Sequence, residues 1–283
     1  MENKNFVKVP NKFIKGKNQL SDEELLIYTF IKRNYLVEDC YVFNIIELTR
    51  LLNHLDKPKY HIKKIKQALK SLEEKKIFTY YSNKQLKNLI HTNEIDNNYL
   101  VYAQEEYEVD EDFTMVYDDD IDKIIVNNKK LSTYSCCKFF MYIASFLYTS
   151  ETNAKFCYTT QKKVLSDIKI NKESKMQYQK FLEEIKLLKS VVIGMDKSNK
   201  TCRMHNTYHC KYEADSIKQL RQEVERLISE DKLILLDRDK RTLMNKKRSI
   251  TQKINHLKKK ETRTKEENIE LSELLKMKEE INK

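Results

Sequence analysis

The chain has 283 residues, enough for two ordinary domains, and it carries a formal net charge of +11. It contains only 2 Gly and 2 Pro, and this excludes the Gly-rich loops that hold phosphates in common nucleotide-binding folds. The basic balance favours a polyanionic partner, with nucleic acid as the default. A generally Lys-rich composition would give the same total, so the placement of the charge matters more than its sum.

Neither the N-terminal segment nor any internal stretch is typical of a membrane protein. The opening MENKNFVKVP has no apolar core of a secretory signal. The longest apolar stretch, CCKFFMYIASFLY, is too short and too polar to cross a bilayer. Six cysteines in a chain of this length favour reduced thiols. We therefore expect a cytoplasmic protein without a membrane partner.

The first hundred residues predict a strand, three helices and a hairpin. Ser21 and Glu24 have the spacing of a capping box that opens the first helix, and a second helix is expected over 44–53. The third begins near Pro58 and ends near Lys76, with apolar residues on one stripe at Ile62, Ile65, Leu69 and Leu72. The runs IFTYYS and YLVYA are rich in tyrosine and β-branched residues, which predicts a hairpin.

The same succession is repeated later in the chain. Four segments are echoed in the same order: FVKVP by FTMVY, LSDEELLIYTFIKRNYL by LSTYSCCKFFMYIASFL, CYVFNIIELTRLLN by CYTTQKKVLSDIKI, and IKQALKSLEEKKIF by YQKFLEEIKLLKSVVI. Four matches in one order indicate two copies of one module.

Three helices followed by a hairpin are typical of a winged helix-turn-helix, whereas a plain three-helix bundle would lack the hairpin. The predicted fold class is therefore mainly α with small β-hairpins (α+β), as two tandem winged helix-turn-helix domains plus a C-terminal helical or coiled-coil tail. The predicted divisions are winged-helix domain 1 at 1–104, an acidic linker with the first strand of copy two at 105–122, winged-helix domain 2 at 113–213, and a charged helical tail at 214–283.

The acidic segment 105–122 holds ten acidic side chains and no basic one. Clustered carboxylates at Asp118, Asp119, Asp120 and Asp122 could bind Mg²⁺. The repeat aligns them with the residues that follow the first strand of copy one, so we interpret them as a solvated face and predict no metal site.

A second possible metal site is TCRMHNTYHC, which carries Cys202, His205, His209 and Cys210. If this segment is the returning strand of the second hairpin, its cysteines lie roughly 26 Å apart at ~3.3 Å per residue, too far for one tetrahedral ion. We expect the second wing here, with the cysteines facing the core and the histidines and Arg203 facing outward.

The tail shows heptad spacing at Leu236, Leu243, Ile250 and Leu257, in a different phase from the run that precedes a break near 229–232. TKEE at 264–267 predicts a capping box and a further helix over 265–282. The pattern fits a dimerising coiled coil or a helical hairpin; the alternative is a solvated helix without a partner.

The third helix of a winged helix lies in the major groove, so its outer face is the predicted DNA-binding surface. Residues 57–76 hold eight basic side chains against two acidic ones. The predicted DNA-binding residues of copy one are Lys59, Tyr60, Lys63, Lys64, Gln67 and Lys70. Copy two contributes Lys172, Gln179 and Lys180 from a weaker, mixed surface, and the basic run 240–260 contributes Lys246, Lys247 and Arg248. Solvated lysine faces are the alternative for each zone.

No nucleophile elbow, HExxH, CxxC or His-x-His motif occurs in the sequence. We therefore predict a protein that is not an enzyme, with no catalytic residues, no metal ligands and no cofactor.

The segments FVKVPNKFI, LSDEELLIYTFIKRNYL, FNIIELTRLLN and KYHIKKIKQALKSLEEKKIF resemble the N-terminal winged helix of RepA-type and DnaD-like replication initiators from low-GC Gram-positive bacteria, their plasmids and phages. The repeat extends the resemblance to tandem winged-helix plasmid initiators. It implies binding to repeated origin sites, opening of an AT-rich segment and recruitment of host replication proteins, with Lys59, Tyr60, Lys63, Lys64 and Gln67 as recognition residues. The weakly charged second recognition helix departs from this pattern.

The predicted function is sequence-specific binding of double-stranded DNA by a homodimer, as the replication initiator of a plasmid or phage. A transcriptional or conjugation regulator of a mobile element would use the same chemistry. A helical interaction scaffold with incidental basic charge is the alternative from another class, and a metal-dependent nuclease ranks last.

Overall fold

A computed structural model describes residues 5–37, 40–52, 57–107, 112–147, 156–158, 161–198, 203–234, 238–260 and 264–282. The fold is mixed α+β, with helices and small antiparallel sheets. It divides into two compact units: unit 1 comprises residues 1–192 and 204–226, and unit 2 comprises 193–203 and 227–283. Across the described ranges, no helix combines the length and the apolar character needed to span a bilayer.

The first half of unit 1 runs from a strand through four helices to a sheet. Its helices and strands are, in chain order, β1 (Phe6–Pro10), α1 (Asn11–Ile14), α2 (Asp22–Arg33), β2 (Tyr35–Val37), β3 (Cys40–Phe43), α3 (Ile45–Leu51), α4 (Pro58–Glu74), β4 (Phe78–Tyr81), β5 (Leu89–Ile90) and β6 (Val101–Glu105). The sheet order is β2-β3-β6-β4-β5. The predicted pairing of the two Tyr-rich runs is confirmed, because β4 pairs with β6.

The second half follows the same order. Its elements are β7 (Phe113–Tyr117), α5 (Asp118–Asn127), α6 (Thr133–Ala144), β8 (Cys157–Tyr158), α7 (Gln161–Asp167), α8 (Lys172–Glu184), β9 (Leu188–Asp196) and β10 (Arg203–His209). After β10 come α9 (Glu213–Ser229), β11 (Leu233–Ile234), α10 (Arg238–Lys259) and α11 (Lys265–Asn282).

The two halves of unit 1 are joined through their first strands and their long first helices. Strands β1 and β7 pair antiparallel, with Lys8 opposite Met115 at the centre of the register. In the sequence echo of FVKVP in FTMVY these two residues occupy the same position. Helices α2 and α6, which are equivalent in the same alignment, also pack on each other.

Both third helices end in the same way. Lys76 after α4 and Lys186 after α8 have the same left-handed backbone, with φ of 54°. The amide of the following residue then donates to a carbonyl one turn back, Ile77 to Leu72 and Leu187 to Leu182, each at 2.9 Å. This is the hydrogen bonding of a Schellman cap. It aligns α4 with α8 residue by residue, so that position 76 matches 186.

One apolar core runs through both halves of unit 1. Its largest fully buried side chains include Tyr28 and Phe30 from α2 and Phe139, Phe140 and Tyr142 from α6. Burying a large apolar side chain is worth about 1.5–3 kcal/mol. The two copies therefore share their stabilisation, and neither has a separate core.

A buried ion pair crosses from α2 to the sheet. Glu105 on β6 accepts from Lys32 Nζ at 2.5 Å and from the Tyr28 hydroxyl at 2.7 Å. Both charged side chains are less than a tenth exposed. Burial, together with the neighbouring carboxylate, holds the pKa of Tyr28 well above its ordinary value.

Unit 2 contains a helical hairpin and a short strand pair. Helices α10 and α11 pack through apolar residues at Ile250, Ile254, Leu257, Leu271 and Leu274. The capping box at Thr264 is confirmed, because Thr264 and Glu267 exchange backbone–side-chain hydrogen bonds. Of the heptad positions, Leu236 and the side chain of Leu243 lie outside the described residues.

Strand β11 pairs with the outer end of β9 at Met195 and Asp196. Gly194 allows this approach, since a Cβ there would lie 2.5 Å from Leu233 Cδ1 and 2.6 Å from the carbonyl oxygen of Ile234. The backbone oxygen cannot move aside as a side chain can, so the position requires glycine.

Candidate nucleic-acid interface

Helix α4 has an apolar inner side and a polar outer side. Ile65, Leu69 and Leu72 are fully buried and Ile62 is partly buried, as the stripe predicted. The C-terminal half is fixed to α2, where Lys75 Nζ donates to Glu24 Oε2 at 2.6 Å. These contacts present one face of α4 to solvent.

The outer face carries an aligned set of polar side chains. Lys59, Lys63, Gln67 and Lys70 are exposed and line one open groove of about 910 Å³. From residue 59 to residue 70 a helix rises about 16 Å at ~1.5 Å per residue. Lys70 lies 3.7 Å from Glu74, whereas Lys59 and Lys63 form no ion pair with any other described residue. We call Lys59, Lys63, Gln67 and Lys70 the α4 stripe.

Lys64 and Tyr60 lie beside the α4 stripe. The Lys64 side chain is 28% exposed and donates to Glu23 Oε1 at 2.7 Å. Burial acts to lower its pKa, but the hydrogen bonds and charges of Glu23 and Tyr60 together raise the pKa above the ordinary value. Lys64 is therefore only partly exposed, whereas Lys63 is exposed, because α2 presents a carboxylate to Lys64. Tyr60 is 54% exposed, with Lys64 Nζ 5.2 Å from its ring centre.

A segment between β5 and β6 forms the other wall of the groove. Glu73 on α4 accepts from His91 Nδ1 at 2.8 Å and from the Thr92 amide at 3.1 Å. Lys66 Nζ donates to the Ile95 carbonyl at 2.8 Å. The hydrogen bond to Glu73 raises the pKa of His91 above its ordinary value. The segment between β5 and β6 is thus held against α4 by hydrogen bonds that involve the charged side chains of Glu73 and Lys66.

Sequence reasoning missed this segment and the basic residues of the turn that precedes β5. Lys84 and Lys87 are exposed in the turn between β4 and β5. The polar stretch between the two Tyr-rich runs contained them, and their charge in a hairpin turn was a signal that could have identified them. Asn93 and His91 line the groove beside the α4 stripe.

Helix α8 offers a weaker surface. Lys172 and Lys180 are exposed, and Lys180 Nζ lies 3.7 Å from Glu184. Gln179 is half-buried and is engaged along its own helix by Lys175 and Glu183. The shared C-terminal cap instead aligns Gln67 with Gln177, which is exposed. The sequence echo alone does not align the two helices closely enough to show whether Gln177 or Gln179 is the equivalent of Gln67.

The basic run of the tail lies in α10. Arg248 is exposed. Lys246 and Lys247 belong to the same helix, but their side chains lie outside the described residues. Helix α10 belongs to unit 2, and the groove beside α4 belongs to unit 1.

The acidic residues after β7 have structural partners. Arg33 binds both oxygens of Asp122 at 2.7 Å and lies 3.1 Å from Asp118. Burial raises the pKa of Asp118 despite the nearby Arg33. Asp120 is buried and lies 3.2 Å from His209 Nε2. The predicted solvated face is confirmed for Asp119 and Asp122, which are exposed, and is wrong for Asp120, which is buried against His209.

The predicted returning strand is confirmed for 203–209, while Cys202 lies outside the described residues. His209 is only 4% exposed and packs near Phe140 and Tyr212. The prediction that His209 faces outward is wrong, because His209 ends β10 and packs against Asp120 of α5. In the described part of the chain, no three His, Cys, Asp or Glu side chains gather as a metal site would require.

A comparison with models of protein families finds no match, and a comparison with curated protein sequences finds no significant relative.

Proposed function

We propose that this protein binds double-stranded DNA in a sequence-specific manner, with α4 as the recognition helix of a winged helix-turn-helix. The observation that carries the proposal is the α4 stripe. Lys59 and Lys63 are solvent-exposed cations, and Gln67 lies one turn beyond Lys63 on the same face. Lysine suits phosphate or guanine contacts, and glutamine can bind the N6 and N7 atoms of adenine.

The dimensions and charge of this face support a duplex as the ligand. The stripe is about 16 Å long on one side of a single α-helix, and the major groove of B-DNA, ~12 Å wide, admits an α-helix. The acidic residues of α4 lie at its C-terminal end, where Glu73 binds His91 and Thr92 of the segment between β5 and β6. The N-terminal part of the stripe therefore carries positive charge without an internal counter-charge among the described side chains.

The hairpin beside α4 supports a wing that contacts the DNA backbone. Lys84 and Lys87 are exposed in the β4–β5 turn, and His91 lies on the groove wall with a pKa raised by its hydrogen bond to Glu73. Wings position a recognition helix through phosphate contacts. We propose the same role here.

The second copy is proposed to be a second winged helix with weaker DNA contact. Gln177 and Lys180 occupy the positions equivalent to Gln67 and Lys70, but Glu173 replaces the cation equivalent to Lys63. A like-charge carboxylate facing phosphate weakens binding. The resemblance of the first copy to plasmid and phage initiators makes replication initiation the proposed role, and the weaker second surface is the departure from that family's pattern.

Two measurements test these proposals separately. Fluorescence anisotropy at ~150 mM salt should show tighter binding to a duplex selected from the DNA flanking the gene than to a shuffled duplex. Equal affinity for both duplexes would remove sequence-specific binding. For the initiator role, a circular DNA carrying only the gene and its flanks should replicate in a low-GC Gram-positive host. If specific binding is retained but this DNA is not maintained, a regulator is the better assignment.

The predicted homodimer and the contact with host replication proteins stay predictions. The α10–α11 hairpin buries Ile250, Ile254 and Leu257 against Leu274 of the same chain. Sedimentation of the full chain alone and with its duplex measures whether a second copy is needed for binding.

A further inference from the structure

The loop between α5 and α6 belongs to the second copy but lies beside the N-terminal part of α4. Asn128, Lys129, Lys130 and Tyr134 line one depression together with Tyr60, His61 and Lys64 of α4. A neighbouring depression, lined by Lys57, Pro58, Lys59 and Tyr60, connects this site to the α4 stripe through Lys59. The surface is continuous from the stripe to the loop.

Side-chain contacts fix α4 against the second copy at this place. The ring of His61 stacks on that of Tyr134, with centres 6.3 Å apart. Lys64 Nζ lies 5.3 Å from the centre of the same Tyr134 ring while it binds Glu23. Burial raises the pKa of Tyr134 above its ordinary value. The loop and the recognition helix therefore keep a defined relative position.

The loop itself is an ordered turn that presents two cations. The Asn128 side chain accepts from the Leu131 amide at 2.9 Å and donates to the Leu131 carbonyl at 3.0 Å. Ser132 then caps α6 by accepting from the Ser135 amide. Lys129 and Lys130 lie between these anchors, are exposed, and have no acidic partner in the ranges that the structure describes.

We propose that Lys129 and Lys130 contact phosphates of the same DNA duplex that α4 enters, so that the second copy extends the binding site of the first. The proposal rests on DNA binding by α4. Two lysines on a rigid turn, next to the N-terminal end of a recognition helix, match the backbone contacts that set register without reading sequence. Copy one has Asn18 and Gln19 at the equivalent positions before Leu20 and Ser21, so this contact is specific to the loop of the second copy.

The test uses the full chain and the selected duplex. We compare Lys129→Glu/Lys130→Glu with Lys218→Glu/Arg221→Glu, which makes the same change in net charge at exposed positions of α9 outside the groove. Each phosphate contact contributes about 0.9 to the slope of log affinity against log salt, so the loop variant should lose about 1.8 of slope. The α9 variant should retain the wild-type slope.

A neutral pair, Lys129→Gln/Lys130→Gln, guards against misfolding in the charge-reversed loop, and its slope should fall by a similar amount. Hydroxyl-radical footprinting should show loss of backbone protection beside the core motif while the motif itself is unchanged. Equal slopes for the loop and α9 variants would overturn the proposal. Failure of the wild-type chain to bind any duplex would instead overturn DNA binding itself, so the two failures are distinguishable.

Discussion

Replacing both Lys59 and Lys63 by glutamine should reduce the salt dependence of DNA binding. Both side chains are exposed on the outer face of α4, and neither pairs with another described residue. Their removal costs no internal ion pair, so the fold should be preserved. The inner face, with Ile65 and Leu69, is unchanged.

The magnitude follows from counterion release. Each phosphate contact adds ~0.9 to the salt slope, so one contact accounts for about a 3.5-fold fall in affinity between 50 and 200 mM salt. Two contacts account for about 12-fold. The wild-type affinity should therefore fall about 12-fold more than that of the double variant over this range.

Fluorescence anisotropy titrations at four salt concentrations measure both slopes, and circular dichroism checks that the variant is folded. Lys218→Gln/Arg221→Gln on α9 serves as the control with the same charge change, and its slope should equal that of the wild type. If the α4 variant also keeps the wild-type slope, the α4 stripe does not face phosphate, and the assignment of α4 as recognition helix fails.

Three further predictions concern the fold and the groove wall. Gly194→Ala should lower stability by about 1–3 kcal/mol, because the new Cβ meets the backbone of β11; an unchanged melting temperature would contradict this. Glu105→Gln should cost about 3 kcal/mol by leaving Lys32 buried without a counter-charge, and adding Lys32→Met should recover much of the loss in thermal melts. By NMR titration, His91 should have a pKa above 6.5 that Glu73→Gln returns toward 6.5; since its folded pKa is raised, this hydrogen bond stabilises the groove wall at low pH and is lost as pH rises through that value.

Local patterns in the sequence predicted helices and caps well. The capping boxes at Ser21 and Thr264 occur as expected, because they depend on residues three positions apart. The division of α4 into an apolar face and a polar face was also predictable, since helical periodicity alone sets which residues share a face. The hairpin of β4 and β6 followed from β-branched and tyrosine content.

Features set by distant partners could not be predicted. Lys64 has the spacing of an exposed lysine, but it binds Glu23 on another helix. Strand alternation predicts that His209 faces outward, yet Asp120 of α5 covers it. The residue-by-residue alignment of α4 with α8 depends on the left-handed cap at Lys186. A lysine in the sequence does not predict a left-handed backbone.

Selection of binding sites from a random duplex pool tests the central claim most directly. The wild-type chain should enrich a defined motif, and Gln67→Ala should lose preference at one base pair, at a cost of about 1–3 kcal/mol there, while the remaining positions stay unchanged. A wild-type chain that enriches no motif, or a motif that Gln67→Ala and Lys63→Glu both leave unaltered, would contradict sequence-specific DNA recognition by α4.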